Sequence, residues 1–318
     1  MNKRNRFCRQ VLWLFILLAL PFSVLAQSLP PPKPPIPSSP PKSPPKPPPP
    51  VGTQIVVFKS EDFKLDSKLM AREMPYRVIL PVNYRTSNEK TFYPVLYLLH
   101  GLTGHFDNWA NKTKLADYAE KYNYIIVMPE GDNGWYSDSA SVPNDRYESY
   151  IIKELIPEID KKFRTVADKK HRAVAGLSMG GYGSVKFGLK YAEMFSLVGS
   201  FSGALGAASL TEKEVGTKGA VAESILGVFG KAMSETRQAN DIFQMIKEIS
   251  PDKMKSLPFI YLDCGTEDFL LNNNRDFANL LQEKKIPHEF RQLPGAHDWK
   301  FWDSQVQEFL ELSEKFIK

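Results

Sequence analysis

Ser178 sits in Gly176-Leu177-Ser178-Met179-Gly180, with a glycine two residues before it and another two after. That pattern makes a nucleophile elbow when a strand runs in and a helix runs out, because the turn between them exposes the hydroxyl. Both flanks fit. His171 to Gly176 is a short, mostly apolar, β-compatible run, and from Gly180 to Tyr191 the residues Tyr182, Val185 and Leu189 recur at helical spacing. The glycines have a steric task, since the turn forces the serine into sparsely allowed φ/ψ space and its neighbours must stay small. The chemistry such a serine offers is attack on a carbonyl carbon. It needs a base for the proton, an acid to orient the base, and N–H donors for the oxyanion.

Five histidines are available as the base: His100, His105, His171, His288 and His297. His171 enters the elbow strand from its far end, and His288 begins a strand. His297, in Pro294-Gly295-Ala296-His297-Asp298-Trp299, follows a strand and precedes the last helix, and it completes the chain order serine, acid, histidine. The acid is expected on the loop after the strand Phe259 to Asp263, which offers Asp263, Glu267 and Asp268. Asp263 is still inside the strand and reads as a structural carboxylate capping the turn. Asp268 lies just past the glycine turn, where a carboxylate reaches back to an imidazole, and is preferred to Glu267. After the strand ending at Leu99 comes His100-Gly101-Leu102-Thr103-Gly104, so the backbone N–H groups of Leu102 and Met179 are the expected oxyanion donors. Backbone donors leave those side chains free to be apolar. His100 reads as a buried, hydrogen-bonded histidine that shapes the loop.

These residues need a scaffold that brings loop ends together. Tyr93 to Leu99 and Tyr124 to Met128 are near-continuous apolar runs, as strands buried on both faces are. Gln54 to Phe58 and Met74 to Leu80 read as early strands, and Phe195 to Ser200, Phe259 to Asp263 and His288 to Gln292 as later ones. Helices are expected at Lys114 to Tyr122, Tyr147 to Phe163, Asn274 to Lys284 and Trp302 to Phe316. Strands alternating with helices predict a mostly parallel, doubly wound α/β sheet, whose sites lie at the carboxyl ends of the strands. Ala204 to Lys255 carries helical patches and no readable motif; by position it is a helical insertion over the site. Trp135 follows Asp132-Asn133-Gly134, a polar, flexible turn with little core to pack against. It is expected to form a wall of the acyl or alcohol pocket, whereas Trp299, beside a helix start, reads as a brace.

The formal net charge of +5 misleads. Lys3, Arg4, Arg6 and Arg9 account for four of those charges, leaving +1, and Lys33, Lys42 and Lys46 take the remainder to −2. That excludes a nucleic-acid-binding footprint. The basic start, the apolar run Val11 to Leu20 and the small residues before Gln27 predict a signal peptide over residues 1–26, hence export to the periplasm or beyond the cell. The apolar run is short for a span of about 20 residues, so no stable membrane span is expected after cleavage; an uncleaved anchor is the alternative. Residues 27–52 form a proline-rich linker, with fourteen prolines between positions 29 and 50. It reads as a polyproline II spacer before a single domain over 53–318. Cys264 is alone once Cys8 leaves with the leader, so no internal disulfide is expected. No His/Asp/Glu group has metal-ligand spacing along the chain, and neither metal nor cofactor is expected.

From about Leu69 to Phe316 the chain resembles the putative-esterase family of α/β-hydrolases. That family takes in tributyrin-esterase-like enzymes, S-formylglutathione hydrolases, and the feruloyl and acetylxylan esterases of carbohydrate esterase family 1. The blocks that carry the resemblance are Tyr97 to Gly104, Pro129-Glu130-Gly131-Asp132-Asn133-Gly134-Trp135-Tyr136, Tyr147-Glu148-Ser149-Tyr150, Gly176 to Gly181, and Gly295 to Trp299. The resemblance implies an α/β-hydrolase fold, with Ser178 as nucleophile, Asp268 as acid, His297 as base, and Leu102 and Met179 as oxyanion donors. It implies a serine carboxylesterase acting on a small-molecule or polysaccharide ester, such as acetyl or feruloyl groups on polysaccharide. A more distant likeness to the mycolyltransferases makes acyl transfer by the same triad the alternative. The export signal is a departure from the cytosolic S-formylglutathione hydrolases.

Overall fold

The computed structural model describes residues 60–317; the signal segment, the proline-rich stretch and the strand expected at Gln54 to Phe58 lie outside them. Eight strands form one sheet: β1 (Glu61–Ser67), β2 (Arg72–Ile79), β3 (Val95–Leu99), β4 (Ile125–Pro129), β5 (Arg172–Leu177), β6 (Leu197–Phe201), β7 (Phe259–Gly265) and β8 (His288–Leu293). Their order is β1-β2-β4-β3-β5-β6-β7-β8. Both pairings of β2 are antiparallel and every other pairing is parallel. This is the α/β-hydrolase architecture.

The apolar runs of β3 and β4 serve two cores at once, because side chains alternate across a strand. Val95, Tyr97 and Leu99 face one core with the helical run 147–162, the helix Met179–Lys190 and the helix Leu271–Glu283. Leu96 and Leu98 face the other, with Trp109, Leu115 and the closing helix Trp299–Ser313. Burial on both faces explains the near-absence of polar residues in these strands. β1 escaped sequence reading because Phe63 and Leu65 are its only large apolar residues. It alternates between half-buried and exposed positions at the sheet edge.

The run 147–162 is not one regular helix. Its middle, Ile151–Leu155, is π-helical and hands over to the helix Ile156–Lys162, which has Pro157 in its first turn. Proline has no N–H to give and its ring crowds the preceding turn, and a wider turn relieves both. The closing helix begins at Trp299, three residues before its expected start. Asp298 caps it by accepting the N–H of Phe301 at 3.0 Å.

The insertion between β6 and β7 is made of short helices, of which Ala220–Phe229 is the longest. Arg237 closes it on itself. Its buried guanidinium donates to the carbonyls of Ala208 (2.8 Å), Leu210 (2.5 Å), Gly230 (2.7 Å) and Lys231 (3.3 Å). Among the described residues no helix is long and apolar enough to cross a membrane.

Candidate active site

β5 delivers Ser178 at its carboxyl end, and the helix Met179–Lys190 starts at the next residue. Ser178 adopts φ 52° and ψ −113°, a conformation that L-residues rarely occupy. The surroundings hold it there. Its N–H donates to Phe201 O at 2.9 Å, and its carbonyl accepts from Tyr182 N and Ala204 N, both at 3.0 Å. The glycine requirement is steric, as expected: a Cβ on Gly176 would lie 2.6 Å from the Gly180 backbone, and one on Gly180 would lie 2.5 Å from Leu99 O.

Three loops converge on this serine. Thr266 N donates to Leu293 O (2.8 Å) and Glu267 N to Gly295 O (2.9 Å), tying the loop after β7 to the loop after β8. That tie brings Asp268 Oδ2 to 2.8 Å from His297 Nδ1, and His297 Nε2 lies 3.0 Å from Ser178 Oγ. Asp268 is buried, and its other oxygen accepts the Leu270 N–H at 2.8 Å. Burial pushes its carboxyl upward, but the hydrogen bonds from His297 and Leu270 outweigh this and hold it below the usual carboxylate value. Glu267 is exposed and takes no part in the chain of hydrogen bonds.

Asp263 does not cap a turn. It is fully buried in β7, and neither carboxylate oxygen has a hydrogen-bond partner among the described residues. Burial raises its carboxyl well above the ordinary value, which favours the neutral form. Cys264 is likewise buried and pushed up, chiefly by burial, to about 12.

Leu102 follows β3 and Met179 follows Ser178. Among the described residues, neither backbone N–H is taken up by another backbone carbonyl. The helix that begins at Met179 adds the positive end of its dipole beside the serine. Two clefts meet at Ser178. One, of about 280 Å³, is apolar and walled by Leu102, Trp135, Ala204, Leu210, Val221 and Ile225. The other, of about 430 Å³, is mixed and includes Asn108, Lys112, Phe269, Asp298 and Trp299. A further cleft of about 490 Å³ lies between the loop 132–147 and the helix Ala220–Phe229, and does not reach Ser178.

Trp135 lines the apolar cleft, though not for want of core. Its ring packs edge-on to Tyr182 (5.9 Å) and beside Phe229 (6.1 Å), and its Nε1–H donates to Ser224 Oγ at 3.0 Å. The insertion buries it, which local sequence around Asp132 could not reveal. Trp299 braces as expected, 5.6 Å from Trp109 and 5.3 Å from Trp302, while also lining the mixed cleft.

Glu130 lies within the run Pro129 to Tyr136, yet its sequence position gives no sign of its role. Its side chain is buried between the loop after β3 and the loop after β4. Folding also brings His105, Glu130 and Asp132 within ligand-atom range of one another, a grouping their spacing had not suggested. These carboxylates are already engaged. Glu130 lies 3.0 Å from His100 Nε2 and 3.3 Å from His105 Nδ1, and accepts three backbone N–H groups. Asp132 accepts from Tyr147 and lies 3.7 Å from Arg72.

The chain is similar to known esterases in sequence and in fold. The family described as Putative esterase matches residues 67–311. The acetyl esterase of Caldicellulosiruptor saccharolyticus is 28% identical over 257 residues, covering 78% of this chain and 96% of that protein. A solved ferulic acid esterase superposes with a TM-score of 0.69 at 28% identity, covering 81% of this chain and 98% of that one. The Staphylococcus aureus fluorophosphonate-binding serine hydrolase FphF gives a TM-score of 0.70 at 25% identity, covering 80% of this chain and 97% of its own. The chain belongs to the putative-esterase family and is a carboxylic ester hydrolase on an α/β-hydrolase scaffold.

Proposed function

We propose that the protein is an exported serine esterase that works through an acyl-enzyme on Ser178. The observation that carries this reading is the continuous chain Ser178 Oγ, His297 Nε2, His297 Nδ1, Asp268 Oδ2, with steps of 3.0 and 2.8 Å. In this reading His297 Nε2 takes the serine proton as Oγ attacks the ester carbonyl carbon. The oxyanion that forms is held by the N–H groups of Leu102 and Met179. His297 then gives its proton to the departing alcohol oxygen. In the second half water, deprotonated by the same imidazole, attacks the acyl carbon. The bond from that carbon to Ser178 Oγ breaks, His297 returns the proton to Oγ, and the acid leaves. Asp268 keeps the Nδ1 proton in place throughout and stabilises the imidazolium.

The two clefts divide the substrate. The apolar cleft suits the acyl group, because it offers little to satisfy a sugar hydroxyl. The mixed cleft suits a polar alcohol. Lys112, Asn108 and Asp298 supply hydrogen bonds there, and the half-buried Trp299 supplies a ring face for a sugar. The relatives' printed names, acetyl esterase and ferulic acid esterase, support acyl groups on a polysaccharide as the substrate class. The leader-like sequence over 1–26 supports export.

The test is hydrolysis of p-nitrophenyl acetate, butyrate and octanoate beside methyl ferulate and acetylated xylan, together with fluorophosphonate labelling of Ser178. Hydrolysis in water and a labelled Ser178 are expected. Product appearing only when an acceptor alcohol is added would turn the reading toward an acyltransferase.

A further inference from the structure

The N–H of Leu102 belongs to the same peptide unit as the carbonyl of Gly101. A peptide bond is planar and trans, so fixing the direction of that oxygen fixes the N–H on the opposite side. Two donors hold Gly101 O. Gly104 N–H reaches it at 3.0 Å and His100 Nδ1 at 2.8 Å, and since a carbonyl only accepts, Nδ1 carries the proton.

The His100 ring is held from its far edge as well. Nε2 lies 3.0 Å from Glu130 Oε1 and 2.9 Å from the N–H of Gly131. A neutral ring accepts from Gly131, and a protonated one donates to Glu130; both arrangements pin the same ring position. Glu130 in turn accepts the N–H groups of Gly131 (3.0 Å), Asp132 (2.8 Å) and Phe106 (3.3 Å). His100 is 1% exposed and Glu130 5%, so water does not compete at either residue. Tyr136 OH donates to His100 O (2.9 Å), and Thr103 N–H donates to Asn133 Oδ1 (2.8 Å), so the two loops are stitched on both sides of Leu102.

We propose that His100 and Glu130 are positioning residues that aim the Leu102 N–H at the oxyanion, through the Gly101–Leu102 peptide plane. This rests on the reading of Leu102 as an oxyanion donor and of Ser178 as nucleophile. An interaction made only with the oxyanion appears in kcat and in affinity for tetrahedral analogues, and not in ground-state binding.

The experiment uses the variants Glu130→Gln, His100→Ala and His100→Asn, with active sites counted by fluorophosphonate so that any misfolded fraction drops out. Asn places an amide N–H near the position of Nδ1 and keeps the bond to Gly101 O without the tie to Glu130. On p-nitrophenyl butyrate, kcat per titrated site is expected to fall about 10-fold in Glu130→Gln and about 100-fold in His100→Ala, with KM moving less than about threefold. Affinity for a trifluoromethyl ketone should fall in step with kcat, and His100→Asn should recover part of the His100→Ala loss. Unchanged turnover per site in Glu130→Gln and His100→Ala overturns the proposal. A loss seen in KM alone, or no difference between His100→Asn and His100→Ala, does so too. Ser178→Ala separates the two levels: if that variant still turns over, the serine mechanism itself fails, whereas an inactive Ser178→Ala with fully active His100→Ala removes only the positioning role.

Discussion

Lys186 Nζ lies 2.6 Å from the carbonyl oxygen of Tyr136, so the helix that starts beside Ser178 also holds the loop that carries Trp135. The same ammonium donates to Ser137 Oγ and Glu148 Oε2, each at 2.7 Å, and is fully buried. Trp135 and Tyr136 sit at φ 51° and 50°, a backbone that needs such support. Lys186→Met leaves Glu148 with Lys190 and Tyr191 as its remaining partners. The expected cost is about 3 kcal/mol in urea unfolding, with a raised KM for esters of bulky acids. Unchanged stability would show that the ammonium is dispensable.

Ser178→Ala should lower kcat by about 10⁴–10⁶ while leaving the unfolding curve in place. Asp268→Asn should lose roughly 10³–10⁴, because an amide no longer holds the Nδ1 proton of His297. Glu267→Gln, one residue away and exposed, should change turnover less than about twofold. A Glu267 variant as impaired as Asp268→Asn would reassign the acid.

Acid should unfold this protein through two buried glutamates. Burial raises both, but the His100 hydrogen bond at Glu130, and the charges of Lys186 and Lys190 at Glu148, hold each down to about 2 from an ordinary 4.5. The folded value is the lower one, so the unfolded chain binds protons first as the pH falls. Their stabilisation is complete above pH 4.5 and lost as the pH falls toward about 2. It amounts to something on the order of 3 kcal/mol each. Urea unfolding across that window should fall less steeply in Glu148→Gln than in the parent; parallel curves would exclude Glu148 as a source.

Asp263 carries the opposite sign. Its folded value is raised by burial, so the folded chain holds the proton longer than the unfolded chain. Stability on its account is greatest below the unfolded value of 3.8 and declines as the pH rises. Asp263→Asn should therefore stabilise the protein at pH 7, with the gain shrinking toward pH 4. Thermal melts at the two pH values measure it; an equal shift at both would mean that ionisation is not the cause.

Trp135→Phe should raise KM for methyl ferulate by about 10-fold, with acetate esters changing less than about threefold, because the indole walls the apolar cleft. It should also lower the melting temperature, since the bond to Ser224 is lost. Equal kinetic losses on both esters would leave Trp135 a packing residue only.

The central strands and the order of the site residues were legible because their causes are local. Two-sided burial of Val95 to Leu99 demands an unbroken apolar run, and the elbow demands small residues at Gly176 and Gly180. What escaped depends on distant chain. β1 is an edge strand with few apolar residues, and the early start of the closing helix turned on Asp298 acting as its cap. Trp135 looked unpacked because its partner Phe229 is almost a hundred residues away. Glu130 could be quoted in a motif but not understood, since its meaning lies in His100, thirty residues earlier.

Arg237 gives the insertion a separable history. With the guanidinium spent on carbonyls of 208–231, the segment holds its shape by its own bonds, and it meets the rest of the enzyme at a few seams. Among the hydrogen bonds at these seams are Ala204 N–H to Ser178 O, Ala140 N–H to Val228 O, Ser139 and Ser141 Oγ to Gly227 O, Trp135 to Ser224, Tyr182 OH to Asn240 O, Asn273 to Gly206 N–H and Lys284 to Lys247 O. None of these engages Asp268 or His297. A lineage can therefore rewrite its diet by changing the inner face of 220–229 while inheriting the reaction intact, and a chimaera that respects those seams can attempt the same exchange in one step.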